Sequence, residues 1–229
     1  MSIGRAGRGG RLDNGIPLAE GQHLYVKSSS AGNHFGTAEL VSMIEHAARQ
    51  VADHFPNSQL AVGDLSREGG GHLRKHRSHR SGRDVDIGFY FLDENGQPFH
   101  PQRFLPVSAD GTGVDAQGNL YRFDVARNWA LLRSMLVFDQ AAIQYVFVSR
   151  PLQALLLEHA QQAGESPEMV ARAAEAMSHH ARGHDNHFHV RIHCPSTDDR
   201  CVDREPPRRS RRGRGGRSRG TVHVTVEAP

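Results

Sequence analysis

Histidines and an aspartate are concentrated in two short segments that lie far apart in the sequence. The first runs H-R-S-H-R-S-G-R-D-V-D over residues 76–86, and the second runs H-D-N-H-F-H-V over residues 184–190. Five of the 16 histidines of the chain fall in these two segments. Imidazole and carboxylate groups are ligands of catalytic zinc, which takes three protein ligands and keeps one position open for water. The clustering therefore indicates metal chemistry.

Three residues have the types and spacing of a catalytic zinc site. His79 and Asp86 would supply two ligands on either side of a turn that Gly82 makes possible, and His189 would supply the third. Two imidazoles and one carboxylate keep zinc a strong Lewis acid that brings the pKa of a bound water towards about 7. We therefore expect one catalytic Zn²⁺ as the cofactor, held by His79, Asp86 and His189.

Two further histidines are placed to act on the attacking water. His187 lies two residues before His189, so both side chains leave the same face of a strand. An imidazole that binds no metal could there take a proton from the water or stabilise the tetrahedral intermediate. His184 could orient His187 or share its role. We predict His187 and His184 as the catalytic residues.

The sequence around these segments predicts the elements that must position them. Strands are predicted over 59–64, 84–91, 120–123, 142–148 and 187–193, the last with strict alternation of apolar and polar residues. Helices are predicted over 37–55, 124–136 and 151–163, and another from Ser166. We expect a single α+β domain whose central antiparallel sheet carries the zinc site and is flanked by helices.

Composition divides the chain into three parts: an extended arm over 1–36, rich in Gly and Ser, a zinc domain over 37–203, and a tail over 204–229, rich in Arg and Gly and expected to be disordered. The tail holds eight of the 28 Lys and Arg residues and two of the 25 acids, which leaves 20 basic and 23 acidic residues before it. Because the domain is not basic and the tail has no aromatic residue, we expect no nucleic-acid partner. We expect the tail to contact anionic envelope polymers or to be merely solvated.

Hydropathy predicts a protein that does not span a membrane. Of the 229 residues, 37% are hydrophobic, and no stretch approaches the roughly 20 apolar residues that cross a bilayer. Residues 1–15 contain no apolar run that could serve as the core of a signal peptide. Export by another route, a signal missing from this chain and a cytoplasmic protein stay open. The only cysteines, Cys194 and Cys201, are either a disulfide or two free thiols.

The histidine segments resemble those of the penicillin-insensitive murein endopeptidase family, a branch of the lysostaphin-type and D-Ala-D-Ala zinc metallopeptidases. The resemblance rests on GDLSREGGGHLRKHRSHRSGRDVDI at residues 63–87 and HDNHFHVRIHCP at residues 184–195. The family pattern is a histidine followed by H-x6-D and, far downstream, H-x2-H-x-H. The residues that fill it here are His76, His79, Asp86, His184, His187 and His189. Weaker resemblance extends from residue 2 to about residue 201.

The resemblance implies a zinc endopeptidase without a serine nucleophile, which penicillins do not inhibit. Its substrate would be peptidoglycan, in which it would hydrolyse the D-alanyl–diaminopimelate bond between stem peptides. The implied location is periplasmic or secreted, and Cys194 and Cys201 are implied to form a disulfide. A D,D-carboxypeptidase or dipeptidase of the same zinc group and a non-catalytic cell-wall-binding module are the alternatives.

By the same resemblance, His79, Asp86 and His189 bind the zinc and His187 lies next to the catalytic water. This sequence departs from the family pattern at the site of a second metal, which some relatives bind through a D-G-x-H element. The corresponding residues 110–113 read Asp-Gly-Thr-Gly, without the histidine, so we do not expect a second ion. His76 is then either a metal ligand or a hydrogen-bonding neighbour of the site.

Overall fold

The computed structural model describes residues 1–7, 9–74, 76–179 and 183–203. Within these residues the α-helices are α1 (Ala38–His54), α2 (Val125–Val137), α3 (Arg150–Gln162) and α4 (Pro167–Ala176), and Ser28–Ser30 form a short 3₁₀ helix. The strands are β1 (Ser2–Arg5), β2 (Arg11–Leu12), β3 (Ile16–Pro17), β4 (Leu24–Val26), β5 (Phe35–Gly36), β6 (Leu60–Val62), β7 (Asp84–Gly88), β8 (Phe91–Leu92), β9 (Pro98–Phe99), β10 (Thr112–Val114), β11 (Leu120–Phe123), β12 (Ile143–Phe147), β13 (His187–Ile192) and β14 (Cys201–Val202).

The central sheet has five strands in the order β12-β13-β7-β6-β4. Its neighbouring strands are antiparallel, except for β4 and β6 at one edge, which are parallel. The predicted α+β class is confirmed, and the predicted antiparallel sheet needs a correction at this edge. The chain passes from β4 to β6 through α1, and a helical crossover of this kind is what lets two strands run in the same direction.

The helices begin where the sequence places their caps. Side-chain oxygens of Thr37, Asp124 and Ser166 accept backbone N–H groups at the start of α1, α2 and α4. These bonds satisfy donors that have no partner inside the helix. The predicted apolar face of α1 is buried, and α1 packs on α2. None of the helices in the described ranges has the length and apolar content needed to cross a lipid bilayer.

The strand predicted over 84–91 is divided into β7 and β8. At the break, the side-chain oxygen of Asn128 accepts the N–H of Tyr90 at 3.0 Å, and its amide nitrogen donates to the Tyr90 carbonyl at 2.9 Å. An α2 side chain thus takes the place of a neighbouring strand. After the break, β8 joins a separate sheet of the order β10-β11-β8-β9.

The described residues of the predicted arm, residues 1–36, include five short strands, two of which pair with strands outside the arm. In particular, β1 lies parallel to β14, and β4 forms an edge of the central sheet. The division of the chain at residues 36 and 203 stays a prediction. The predicted tail over 204–229 lies outside the described residues.

A disulfide joins Cys194 and Cys201, as the family resemblance implies. It closes a short loop that begins after β13 and ends at β14. The buried guanidinium of Arg83 holds the same region from inside the fold. It donates to Asp203 at 2.5 Å and to the carbonyl oxygen of Ile192 at 3.1 Å. Both links hold the C-terminal end of β13 in place.

Replacing both cysteines by serine should lower the free energy of unfolding by about 2–3 kcal/mol, because the unfolded chain loses the constraint of a closed loop. Urea unfolding followed by circular dichroism measures the change. Ser196→Ala, an exposed substitution in the same loop, is the matched control and should leave the midpoint unchanged. Equal stability of the double variant and the wild type would contradict this role of the disulfide.

Candidate metal centre

The pairing of β7 with β13 in the middle of the central sheet builds the site. In this antiparallel pair Asp86 lies opposite His189, and Asp84 lies opposite Arg191. Since successive side chains of a strand point to opposite faces, these four residues share one face. The residues that alternate with them are apolar and buried in the core: Val85, Ile87, Phe188 and Val190.

His79 reaches the same place from the loop before β7. Its φ of +40° lies in the left-handed region, which residues other than glycine rarely adopt, and Gly82 follows with φ +73°. A Cβ on Gly82 would lie 2.6 Å from Leu12 Cδ1 and 3.0 Å from the backbone nitrogen of Thr37. The turn predicted at Gly82 therefore requires glycine. Backbone strain such as that at His79 persists where the surrounding structure enforces it, often at functional sites.

The imidazoles of His79 and His189 and the carboxylate of Asp86 meet at one point. His79 Nε2 lies 3.2 Å from His189 Nδ1. Asp86 Oδ1 lies 3.3 Å from the first nitrogen and 3.0 Å from the second. A tetrahedral zinc ion with bonds of about 2.0–2.1 Å holds its ligand atoms roughly 3.3 Å apart. The spacing of the three atoms therefore fits a zinc ion.

In each imidazole one nitrogen, the inner one, points at the centre and the other, the outer one, points away from it. The hydrogen-bond partner of the outer nitrogen shows which of the two atoms carries the proton. His79 Nδ1 lies 2.8 Å from the carbonyl oxygen of Leu65, and His189 Nε2 lies 3.0 Å from Asp84 Oδ1. A carbonyl and a carboxylate only accept hydrogen bonds, so these two nitrogens are the donors. The inner nitrogens and Asp86 Oδ1 then direct lone pairs at one another. Such an arrangement needs a cation between the atoms, either a metal ion or an extra proton.

Two buried carboxylates give the site its negative charge. Burial would raise the pKa of Asp84, but Arg191 and His189 outweigh it and hold the pKa below its usual value. Burial also acts on Asp86, whose pKa the surrounding histidines hold well below the usual value. Arg191 Nε donates to Asp84 Oδ1 at 2.8 Å. This arginine is therefore engaged in a buried ion pair and supports His189 through Asp84.

His76 stands beside the centre but is directed mainly at another carboxylate. Its Nε2 lies 2.9 Å from Asp64 Oδ2, and its Nδ1 lies 3.7 Å from Asp86 Oδ2. Donor atoms of His76, His79 and Asp86 lie within 4.8 Å of one another. This group is looser than the one that contains His189. The distances favour the tighter group for a single ion and leave His76 as a neighbour hydrogen-bonded to Asp64.

The predicted catalytic residues, His187 and His184, lie next to the centre. His187 Nδ1 lies 2.5 Å from the side-chain oxygen of Asn186, which only accepts, so the proton is on Nδ1. Its Nε2 faces Asp86 Oδ1 at 3.4 Å. Phe104 stacks on the His187 ring with the centroids 5.2 Å apart. The His184 ring packs against that of His187, with centroids 5.1 Å apart.

Sequence reasoning missed several residues at the site. Asp64 carries a signal that could have been used, since it lies two residues after the end of the buried strand β6 and precedes the first histidine segment. Asn186 lies inside the second segment, but its contact with His187 depends on the turn into β13. Phe104, and Lys27 with its Nζ 3.4 Å from the centre of the Phe104 ring, come from segments in which no spacing of residues predicts their place.

The sequence model of the family described as penicillin-insensitive murein endopeptidase matches residues 2–218, nearly the whole chain. The chain belongs to this family. Relatives named penicillin-insensitive murein endopeptidase, from Escherichia coli and Klebsiella pneumoniae, are each 28% identical to it, over 198 and 201 residues. The matched region is 84% of this chain, but the chain spans only 65% of the length of either relative.

Membership of the penicillin-insensitive murein endopeptidase family confirms the resemblance inferred from the two histidine segments and places the chain in a family of peptidases. The match includes every residue that meets at the centre.

Replacing one of the converging groups should remove the metal site. We expect the chelator-treated wild type to take up one Zn²⁺ in isothermal titration, and Asp86→Asn and His189→Ala to lose this stoichiometric binding. Each change removes a charge or a lone pair from the centre. His72→Ala, an exposed histidine of the same loop as His79, is the matched control and should bind zinc normally. Full binding by both variants would contradict this set of ligands.

The affinity for zinc should depend on pH through His189. Burial lowers its pKa, but Asp84 and Asp86 outweigh burial and raise it to about 9 in the metal-free protein. A proton occupies the lone pair that zinc needs, so the affinity should fall as the pH drops below about 9. An ordinary histidine would lower it only below a pH of about 6.5. Titrations against a competing chelator measure this, and an affinity that stops rising near neutral pH would contradict it.

Proposed function

We propose that the chain is a zinc-dependent endopeptidase that hydrolyses D-alanyl–diaminopimelate cross-links between peptidoglycan stem peptides. The convergence of His79, Asp86 and His189 on one point, in a member of this peptidase family, carries the proposal. Zinc bound there would polarise the scissile carbonyl and lower the pKa of water. The named activity of the relatives supports the choice of substrate. The disulfide is typical of oxidising compartments, which supports a periplasmic or secreted location.

His187 is the proposed proton-transfer residue. Its unprotonated Nε2 faces the centre, and a general base must lie within hydrogen-bond reach of the proton that it takes. His187 would take this proton from water as the water oxygen adds to the carbonyl carbon. It would then give the proton to the amine nitrogen as the carbon–nitrogen bond breaks. Asn186 holds the ring in the required tautomer.

Two neighbours are proposed to position His187. Phe104 stacks on its ring and also covers Gly88, the residue opposite His187 in the sheet, where a Cβ would meet the Phe104 ring at 2.9 Å. His184 packs on another side, with its ring centroid 5.7 Å from that of His189. These contacts restrict rotation of the imidazole, which keeps Nε2 directed at the centre.

The substrate is proposed to lie in a cleft of about 720 Å³ that begins at His187. Its walls are formed by residues 27–29 and 102–104 and by Asn186. Ser28, Ser29 and Gln102 are exposed along it, so the cleft opens to solvent. A cross-linked peptidoglycan peptide continues on both sides of the scissile bond, and a cleft that is open to solvent can admit such a peptide.

The zinc-loaded protein should convert cross-linked muropeptides of purified peptidoglycan into monomers, and a chelator should stop the conversion. His187→Ala should slow it by about 10²–10⁴-fold, since general acid–base catalysis contributes that much, while zinc content stays unchanged. Chromatography and mass spectrometry of the digests measure the products. His72→Ala is the control and should retain the wild-type rate.

Other outcomes separate the alternatives. Release of terminal D-alanine from monomers, with the dimers intact, would identify a D,D-carboxypeptidase. Binding to peptidoglycan without any cleavage would identify a wall-binding module. Unchanged cross-linking in the presence of zinc-loaded wild type would refute the proposed endopeptidase.

A further inference from the structure

Lys27 lines the cleft that begins at His187. It follows β4 directly, and its backbone N–H donates to the carbonyl oxygen of Val62 at 2.8 Å. This bond continues the parallel pairing of β4 with β6, just before β6 leads into Asp64. The backbone of Lys27 is therefore held by the same central sheet that holds the metal centre.

The ammonium group of Lys27 forms no ion pair or hydrogen bond with the residues that the structure describes. Its Nζ lies 3.4 Å from the centre of the Phe104 ring, the ring that stacks on His187. The side chain is half-buried, and burial lowers its pKa, although Asp64 and Asp86 oppose this. A partly buried cation without a partnering anion is unfavourable. The cleft therefore presents a positive charge that an anionic ligand would satisfy.

The proposed substrate carries an anion close to the bond that breaks. In a D-alanyl–diaminopimelate cross-link, the carbon attached to the scissile nitrogen also bears a carboxylate. Under the proposed function, the scissile carbonyl would lie at the metal centre and the leaving amine on the side of His187, which would protonate it. The carboxylate beside that amine would then face the cleft wall that includes Phe104 and Lys27.

We propose that Lys27 binds the carboxylate of the leaving group and so selects cross-links in which this carboxylate is free over those in which it is amidated. The inference rests on the proposed function and adds a substrate preference to it. Lys27 takes no part in bond breaking. Arg103 also lines the cleft but is exposed, so water and salt screen its charge more strongly.

Two synthetic dimers test the proposal, one with a free carboxylate next to the scissile nitrogen and one with a carboxamide there. The wild type should favour the carboxylate dimer in kcat/KM by about 10- to 100-fold, the range expected for a hydrogen bond between charged groups. Lys27→Met keeps the aliphatic stem and removes the charge. This variant should slow the hydrolysis of the carboxylate dimer only, so that the ratio of the two kcat/KM values comes close to one.

Arg103→Met is the matched control, because it removes a positive charge from the same cleft. It should retain the wild-type preference, and thermal unfolding should show both variants to be folded. An undiminished preference in Lys27→Met, or a wild type without any preference, would overturn the assignment.

Equilibrium binding of the same dimers to the chelator-treated full chain supplies a readout that needs no turnover. The preference should appear in Kd for the wild type and disappear in Lys27→Met. A preserved binding preference, together with no hydrolysis of either dimer by the zinc-loaded protein, would contradict the proposed function alone. Equal binding of the two dimers would contradict the Lys27 assignment alone, and no binding of either would contradict both.

Discussion

The register between β7 and β13 is the constraint on which the rest of the site depends. It places Asp86 opposite His189 and, two residues away, Asp84 opposite Arg191. A slip of one residue would turn these charged groups into the core and expose the apolar residues that alternate with them. Burial of Val85 and Phe188 on the other face therefore fixes the position of the face that carries the proposed metal ligands.

The centre couples this register to the binding of a cation. Leu65 and Asp84 fix the outer nitrogens of His79 and His189 as donors, so the inner nitrogens present lone pairs to each other and to Asp86. Buried charges are tolerated only when they are paired and hydrogen-bonded. A metal ion would satisfy all the converging groups at once, whereas an extra proton on His189 would satisfy them only in part. In the proposed metal site, metal and proton would therefore compete for the same place in the fold.

Sequence reasoning succeeds here where the determinants are local. Alternation over 187–193 predicts β13 and its polar face, and Thr37, Asp124 and Ser166 mark helix starts because a cap acts on the adjacent turn. It fails where a residue that is distant in the sequence determines where an element ends or what it pairs with. The end of β7 is set by Asn128 from α2, and β4 becomes a sheet edge only because α1 carries the chain back. The pairing of His76 with Asp64 likewise depends on the path of the loop between them.

The site divides into parts of different origin. The proposed metal ligands come from two central strands and a strained turn, so their positions are tied to the core. The cleft walls come from residues 27–29, where Lys27 is hydrogen-bonded to the central sheet and a short 3₁₀ helix begins at Ser28, and from residues 102–104, which belong to a loop. Loops tolerate substitution better than the elements that they connect. The loop at 102–104 can therefore vary more freely than the converging residues of the centre, and under the proposed function it would help to decide whether a cross-link or a terminal residue enters the cleft.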